Sequence, residues 1–233
     1  PFPTRISSLT ALQAQYRNHW LHTKGILLGT VITEYSPVLG RSPLTVKCMP
    51  SLSASLRPFD DFPFYLRMLY KNTFRMPTFN ELYYLRSGNR VLRPESANEY
   101  NMGVTWQVHQ WGIVRDMTIT ADGYFNQVKD KIVAFPTTYV WRMANYGRVH
   151  IAGLDAVING HISMAPYMLL TFGAGYTLQH VVDLTDSQSQ SYGCQLPYTP
   201  KHSGSARLQI DMPWFDIGYS VLWSGERYSM AEQ

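Results

Sequence analysis

The sequence predicts an all-β protein, specifically an antiparallel up-and-down transmembrane β-barrel. Three observations support this prediction. Apolar and polar residues alternate with a period of two, tight and long connections alternate, and aromatic residues fall into two bands. Ten strands are expected, over residues 4–17, 24–35, 45–57, 63–73, 97–108, 115–127, 148–160, 166–180, 200–211 and 215–227.

The clearest alternation lies in the middle of the chain. From Ala97 to Val108 the even positions carry mostly large apolar side chains, while the odd positions are mostly polar. From Arg115 to Asn126 the apolar residues move to the odd positions. The strands expected at 4–17 and 24–35 alternate poorly, so their two faces stay unassigned. No segment of useful length has the period of a helix.

Connection lengths favour a barrel over other all-β folds. The tight connections are Arg57–Pro63, His109–Ile113, His161–Pro166 and Met212–Trp214. The long ones are Phe74–Ser96, Val128–Gly147 and Val181–Thr199. In an up-and-down sheet this places the tight turns at one end and the long loops at the other, the habit of outer-membrane barrels. The alternative is a soluble all-β binding or adhesion domain, whose apolar face would be buried between two sheets.

Aromatic residues are expected to form a band at each end of the strands, as in membrane barrels. The band near the tight turns would contain Trp106, Trp111, Trp214 and Phe215. The opposite band would contain Tyr100, Tyr124, Phe125 and Trp223.

Composition excludes several classes of function. The net charge of +4 is spread along the chain, which does not indicate nucleic-acid binding. No apolar run is long enough for a transmembrane helix, and no signal peptide is recognised at the start, which reads as interior barrel sequence. Two cysteines and seven histidines lack metal-ligand spacing. Without a GxSxG nucleophile motif either, no catalytic residue, cofactor or metal is expected.

Six segments, in order, resemble the β-barrel of TonB-dependent outer-membrane receptors. The most specific are FRMPTFNELYY at 74–84 and GNRVLRPESANEYNMGVTW at 88–106. NYGRVHIAGLDAVI at 145–158 is similar to the family's NxGxxxIxGxE segment, with Asp155 where glutamate is usual. The other matches are SLSASLR at 51–57, ITADGYFNQVKDKIVAF at 119–135 and PYTPKHSGSARL at 197–208.

The resemblance implies a place in a larger molecule. Family barrels have about 22 strands around a lumen that a plug domain fills. Residues 1–233 are therefore expected to be a fragment of the barrel domain, with the plug domain and the last strands absent. The implied location is the cell outer membrane, as a multi-pass barrel surrounded by outer-membrane lipid. The implied partners are the plug and a TonB-type coupling protein, and no enzyme activity is implied.

The resemblance also implies a ligand, a small-molecule nutrient chelate. FRMP at 74–77 and NRVL at 89–92 resemble the FRAP and NPNL boxes of the family's haem receptors, which have a histidine between them. No histidine lies between the two segments here, so ferric siderophore or cobalamin is favoured over haem. The expected ligand-binding residues of the external loop are Tyr83, Tyr84, Arg86 and Asn89, since aromatic rings and arginine suit chelates and anions. The alternative is that these four only pack the loop. The expected loop-structuring residues are Arg75, Pro77, Glu81, Pro94, Glu95 and Glu99. The two prolines would stiffen the loop, and each glutamate would pair with Arg75, Arg90 or Arg93.

Overall fold

The long strands of the chain pair in sequence order to form one antiparallel sheet. The computed structural model describes residues 3–36, 40–85, 87–136, 141–189 and 192–227. The strands are β1 Thr4–Arg17, β2 Leu21–Ser36, β3 Gly40–Arg41, β4 Thr45–Leu56, β5 Phe64–Arg75, β6 Glu95–Trp111, β7 Val114–Pro136, β8 Trp141–Ala165, β9 Met168–Asp183, β10 His202–Asp211 and β11 Asp216–Ser224; one helix, α1, spans Phe79–Tyr83.

The ten predicted strands are confirmed, and the sheet is a meander with β1 and β11 at its open edges. The two-residue strand β3 lies off this path and pairs only with β2. All tight turns lie at one end of the sheet and all longer connections at the other, as expected. We call these the tight-turn end and the long-loop end. Among the described residues, no helix is long and apolar enough to cross a membrane.

The connection predicted at Val128–Gly147 is the main error in the strand assignment. Strands β7 and β8 continue through most of it, pairing from Lys131 opposite Tyr146 to Pro136 opposite Trp141. The alternation is interrupted at Asp130, whose φ is 54°. This left-handed residue ends the regular pattern in the sequence, although the backbone pairing resumes directly after it.

The register defines two faces of the sheet. Arg67 lies opposite Gly103, which lies opposite Asp122, and Asp122 lies opposite Asp155. We call this the polar face. The same pairing rule places His22 on the polar face, through Ser55 and Arg67, and so assigns the strands that the sequence pattern left open.

The opposite side, the apolar face, carries large side chains that the sheet leaves exposed. Leu52 and Met102 are each 56% exposed, and Leu208 is 50% exposed. A two-sheet sandwich would bury such a face, and the described residues form a single sheet instead. The soluble sandwich alternative is therefore wrong for this part of the chain.

Two of the predicted aromatic-band residues lie inside the strands rather than at their ends, because β7 continues to Pro136: Phe125 is at the middle of β7, and Tyr100 of β6 lies opposite it. A third residue of the bands is on the other face. Tyr124 lies on the polar face, because it lies directly opposite Gly153 and two residues from Asp122. Its ring covers Gly153, where an added Cβ would come within 2.4 Å of the tyrosine hydroxyl. A ring over a glycine on the next strand fills the space that the missing side chain leaves.

A small hydrophobic cluster lies on the polar face at the long-loop end. Val128, Val149, Val181 and Leu196 form it, and Val149 has no exposed surface. The connection after β9 folds back to supply Leu196, whose backbone nitrogen donates to the Val181 carbonyl at 2.8 Å. This connection is therefore packed against the sheet near its long-loop end.

Candidate functional site

The connection between β5 and β6, residues 76–94, contains the only helix of the described residues. Helix α1 begins with a capping box, in which the Glu81 nitrogen donates to the Thr78 hydroxyl and the Thr78 nitrogen donates to the Glu81 carboxylate. The sequence pattern missed this helix because five residues are too few to show a helical period. We call residues 76–94 the β5–β6 loop.

Arg75, at the end of β5, holds both ends of the loop. Its guanidinium lies 3.0 Å from the Glu81 carboxylate and 3.2 Å from that of Glu95. Glu95 also accepts a hydrogen bond from the backbone nitrogen of Ile132 in β7. Since Arg75 is 43% exposed, each pair contributes roughly 0–1 kcal/mol.

The same contacts shift the acidity of both groups. Burial alone would raise the pKa of the Glu81 carboxyl, but hydrogen bonds from the Thr78 backbone and the Arg75 guanidinium lower the pKa below its ordinary value. Burial alone would lower the pKa of Arg75, but hydrogen bonds to Glu81 and Glu95 raise it. Both groups are thus held in their charged forms.

One side of the β5–β6 loop is attached to the first two strands. Arg5 of β1 donates to the Pro77 carbonyl and forms an ion pair with Glu34 of β2. The same guanidinium lies 5.0 Å from the centre of the Phe79 ring. Because Arg5 belongs to the polar face, the loop leans across that face at the long-loop end.

The other side of the loop is attached to the β7–β8 hairpin. The Asn89 side chain donates to the Met143 carbonyl at 2.9 Å, and the Met143 nitrogen donates to the Ser87 carbonyl at 3.1 Å. Asn145 accepts from the Arg93 nitrogen and donates back to the Arg93 carbonyl. The loop therefore spans the sheet from β1 to β8 with fixed contacts at both sides.

The four residues predicted to bind ligand lie in different surroundings. Tyr84 is 63% exposed. Tyr83 is half-buried between Phe79 and the guanidinium of Arg90, which lies 5.7 Å from its ring centre. Asn89 uses its amide for Met143 and its oxygen for the Val91 nitrogen. Arg86 lies outside the described residues.

Asn89 thus makes the contacts of a structural residue, and Tyr84 is the one of the three described candidates whose side chain is mainly exposed. Among the residues predicted to structure the loop, Glu99 departs from expectation. It accepts a hydrogen bond from Thr73 at 3.1 Å, and no arginine pairs with it among the described residues. Pro77 contributes its carbonyl to Arg5, and Pro94 directly precedes β6.

Several contact residues of the loop were missed from the sequence. Arg5 and Asn145 act on segments far away in the chain, and a local pattern carries no signal for such contacts. Trp141 and Tyr198, which make no such contact with the described residues of the loop, pair at a ring distance of 5.9 Å and join the β7–β8 hairpin to the β9–β10 connection. Asn145 is the first residue of the NYG motif at 145–147, and this motif is the one sequence feature that could have pointed to it.

A second cluster lies on the polar face below the loop. Arg67 and Asp122 form an ion pair at 2.7 Å, and Asp155 lies directly opposite Asp122. These residues, with His22 and Asn101, line a cavity of about 470 Å³. Nε of Arg67, Oδ1 of Asp155 and Nε2 of His22 are buried with no hydrogen-bond partner in the described residues. Buried polar groups are nearly always hydrogen-bonded, so these three atoms need partners from outside the described residues, such as water or another domain.

Acidification is expected to loosen the β5–β6 loop. The pKa of Glu81 is lowered from an ordinary value of 4.5, so its contribution to loop stability is fully present above that pH and is lost as the pH falls through the lowered pKa. Hydrogen exchange of the α1 amides, corrected for intrinsic rates and measured from pH 3 to 6, checks this. Glu81→Gln keeps a capping side chain without titrating. The same loss of protection with pH in this variant would contradict the assignment.

The described residues contain no group of three or more His, Cys, Asp or Glu side chains that could hold a metal ion. The β5–β6 loop presents aromatic rings, amides and paired charges. Groups of these kinds can contact a ligand by stacking and hydrogen bonding.

The names of several solved structures with a similar fold describe transporters and import receptors. The chain is similar to the FrpB iron transporter from Neisseria meningitidis, with TM-score 0.63 and 13% identity over 94% of this chain and 32% of that one. It is similar to the siderophore receptor PiuA from Acinetobacter baumannii, with TM-score 0.68 and 14% identity over 97% of this chain and 34% of that one. It is also similar to the ferric-catecholate import receptor Fiu from E. coli K12, with TM-score 0.59 and 16% identity over 96% of this chain and 36% of that one.

The chain thus spans about a third of the length of these structures, and the likeness shows a common fold. No curated protein matches the chain. The family model described as TonB dependent receptor-like, β-barrel, matches residues 40–232. Since this is most of the chain, the protein belongs to the TonB-dependent receptor-like β-barrel family.

Proposed function

We propose that this chain forms part of the barrel wall of an outer-membrane receptor that imports a scarce nutrient with energy from the TonB system. In this proposal the plug domain and the remaining strands lie outside residues 1–233, and the barrel wall performs no catalysis. The observation that carries the proposal is the β5–β6 loop, which contacts the sheet from Arg5 to Asn145 across the polar face. A loop held in this position can meet a ligand before it enters the lumen.

The polar face supports the second part of the proposal, a plug inside the barrel. The unpartnered atoms of Arg67, Asp155 and His22 lie on the side that would face the lumen. A domain filling that lumen would supply hydrogen bonds that the wall does not make by itself. The apolar face, with its exposed large side chains, would contact outer-membrane lipid.

The ligand proposed is a chelate such as a ferric siderophore or cobalamin. Exposed aromatic side chains at the long-loop end, among them Tyr84, Trp141 and Tyr198, suit stacking against flat or aromatic parts of a ligand. Haem is less favoured because the β5–β6 loop contains no histidine to ligate the iron.

Uptake by cells tests the function directly. The full-length receptor is produced in a strain lacking its own receptors, and import of labelled ferric siderophores, cobalamin and haem is measured separately. We expect uptake of one of the first two classes, and its loss when the coupling protein is deleted. Uptake of none of them, or uptake that persists without the coupling protein, would contradict the proposal.

Replacing Tyr84 by alanine is expected to weaken ligand binding by roughly two- to tenfold, because a stacking contact contributes about 0.5–1.5 kcal/mol. The side chain is mainly exposed, so the melting temperature should not change. Equilibrium binding to the purified full-length receptor measures the effect, using the ligand that uptake identifies. Tyr84→Phe keeps the ring and is expected to bind as well as the natural receptor. Unchanged affinity of Tyr84→Ala would remove Tyr84 from the site.

A further inference from the structure

Two positive charges face each other across β7 and β8. Lys129 lies directly opposite Arg148 in the antiparallel register, and both side chains are exposed. Like charges in directly opposite positions destabilise a sheet. Neither residue forms an ion pair with a carboxylate in the part of the chain that the structure describes. The nearby Asp130 carboxylate is bound to Arg93 at 2.7 Å.

The pair lies on the apolar face. Its chain neighbours Val128 and Val149 are buried on the polar face, and successive side chains of a strand point to opposite sides. An added Cβ on Gly147, the other neighbour of Arg148, would meet Thr185 of the β9–β10 connection. Lys129 and Arg148 therefore point away from the lumen side.

Along the strands, Lys129 and Arg148 lie next to the aromatic rings at the end of the apolar band. Below it on the apolar face lie His150 and Phe125, whose rings meet edge to face at 5.3 Å. Phe125 is four residues from Lys129, or roughly 13 Å along the strand. In a membrane barrel, aromatic rings at this end of the apolar band mark the boundary with the lipid headgroups. The two cations lie beyond that boundary, two residues from His150 and four from Phe125, on the side of the headgroups.

We propose that Lys129 and Arg148 bind the phosphate of a lipid headgroup in the outer leaflet of the surrounding membrane. The inference rests on the membrane location in the proposed function. A phosphate between the two side chains would offset their repulsion, and the planar guanidinium of Arg148 can donate two parallel hydrogen bonds to it. The pair lies on the outer wall directly next to the apolar face, so a lipid bound there would place its acyl chains along that face.

The test uses the full-length receptor in neutral detergent and measures binding of a phosphorylated glucosamine lipid by native mass spectrometry. Its dephosphorylated form and inorganic phosphate serve as the other two probes. We expect the phosphorylated lipid to bind best, and the double variant Lys129→Gln/Arg148→Gln to bind it roughly tenfold to thirtyfold more weakly. Arg115→Gln is the matched control, because Arg115 is an exposed cation at the tight-turn end of the same strand. It should bind as the natural receptor does.

Equal binding by the natural receptor and the double variant would overturn the proposal. Inorganic phosphate competing as well as the phosphorylated lipid would also overturn it, since the ligand would then be a free anion. Folding is not at risk, because the double variant removes a like-charge pair and should melt at the same temperature or higher. Nutrient uptake, measured separately, distinguishes this proposal from the proposed function. Failure of uptake by the natural receptor would contradict the proposed function, whereas lipid binding that depends on Lys129 and Arg148 would still support the lipid site.

Discussion

Replacing Gly153 by valine is expected to destabilise the barrel by roughly 1–3 kcal/mol and to lower the yield of folded protein. A Cβ at this position would lie 2.4 Å from the Tyr124 ring and 2.7 Å from the Leu178 carbonyl. The tyrosine ring could swing away, but the backbone oxygen of the neighbouring strand cannot move without disturbing the β8–β9 pairing. The substitution therefore strains the sheet even after Tyr124 has moved.

The experiment refolds the full-length receptor into detergent and compares the folded fraction, from heat-modifiable mobility on gels, and the melting temperature. Gly123→Val is the matched control, because Gly123 lies in the adjacent strand and the atom nearest to its added Cβ is 3.8 Å away. Each variant replaces one glycine of the sheet by valine, so the two differ in the space around the added side chain. Equal stability of the two variants would show that the close approach at Gly153 has no energetic importance.

The strands were predictable where the alternation is regular and the two faces differ strongly in polarity. Strand β6 met both conditions, with Tyr100 and Met102 on one face and Asn101 on the other. Strand β1 met neither, because Leu9 and Arg5 share the polar face with Ser7. Its face became clear only from the register with β2.

Tyr124 and Asp130 show two further limits of a pattern. A tyrosine can stand on either face of a barrel wall, since its ring is apolar and its hydroxyl is polar. Its place over Gly153 depends on a residue of another strand. Asp130 adopts a left-handed backbone that ends the alternation, yet the pairing beyond it continues. Neither feature is visible in a period of two.

The candidate site divides in the same way. Arg75 and Glu81 were both predicted to structure the loop, and they form an ion pair. Thr78, which caps α1 together with Glu81, directly follows the predicted residue Pro77. The contacts that hold the loop across the sheet join Arg5 to Pro77 and Asn89 to Met143, which are 72 and 54 residues apart. Contacts at such separations follow from the order of strands in the sheet, which becomes known only with the fold.

Reversing the charge of Asp155 is expected to stop import while the barrel still folds. Asp155 lies directly opposite Asp122, whose charge Arg67 already balances at 2.7 Å. The second carboxylate therefore has an unbalanced charge, and its Oδ1 is buried with no partner in the described residues. In the proposed receptor, a donor from the plug would meet this oxygen. A lysine at position 155 would repel a cationic donor but would pair with Asp122 across the strands.

The measurement is uptake by cells together with the melting temperature of the purified full-length receptor. Asp155→Lys is expected to lower uptake at least tenfold, since opposing a buried cation with another costs several kcal/mol of docking free energy. Asp155→Asn, which keeps an acceptor oxygen without the charge, should retain part of the uptake. Both variants relieve the repulsion from Asp122, so neither should make the barrel wall itself less stable. If Asp155→Lys imports as well as the natural receptor, the oxygen of Asp155 has no partner in the lumen. The proposal that the plug docks on the unpartnered cluster of the polar face would then be wrong.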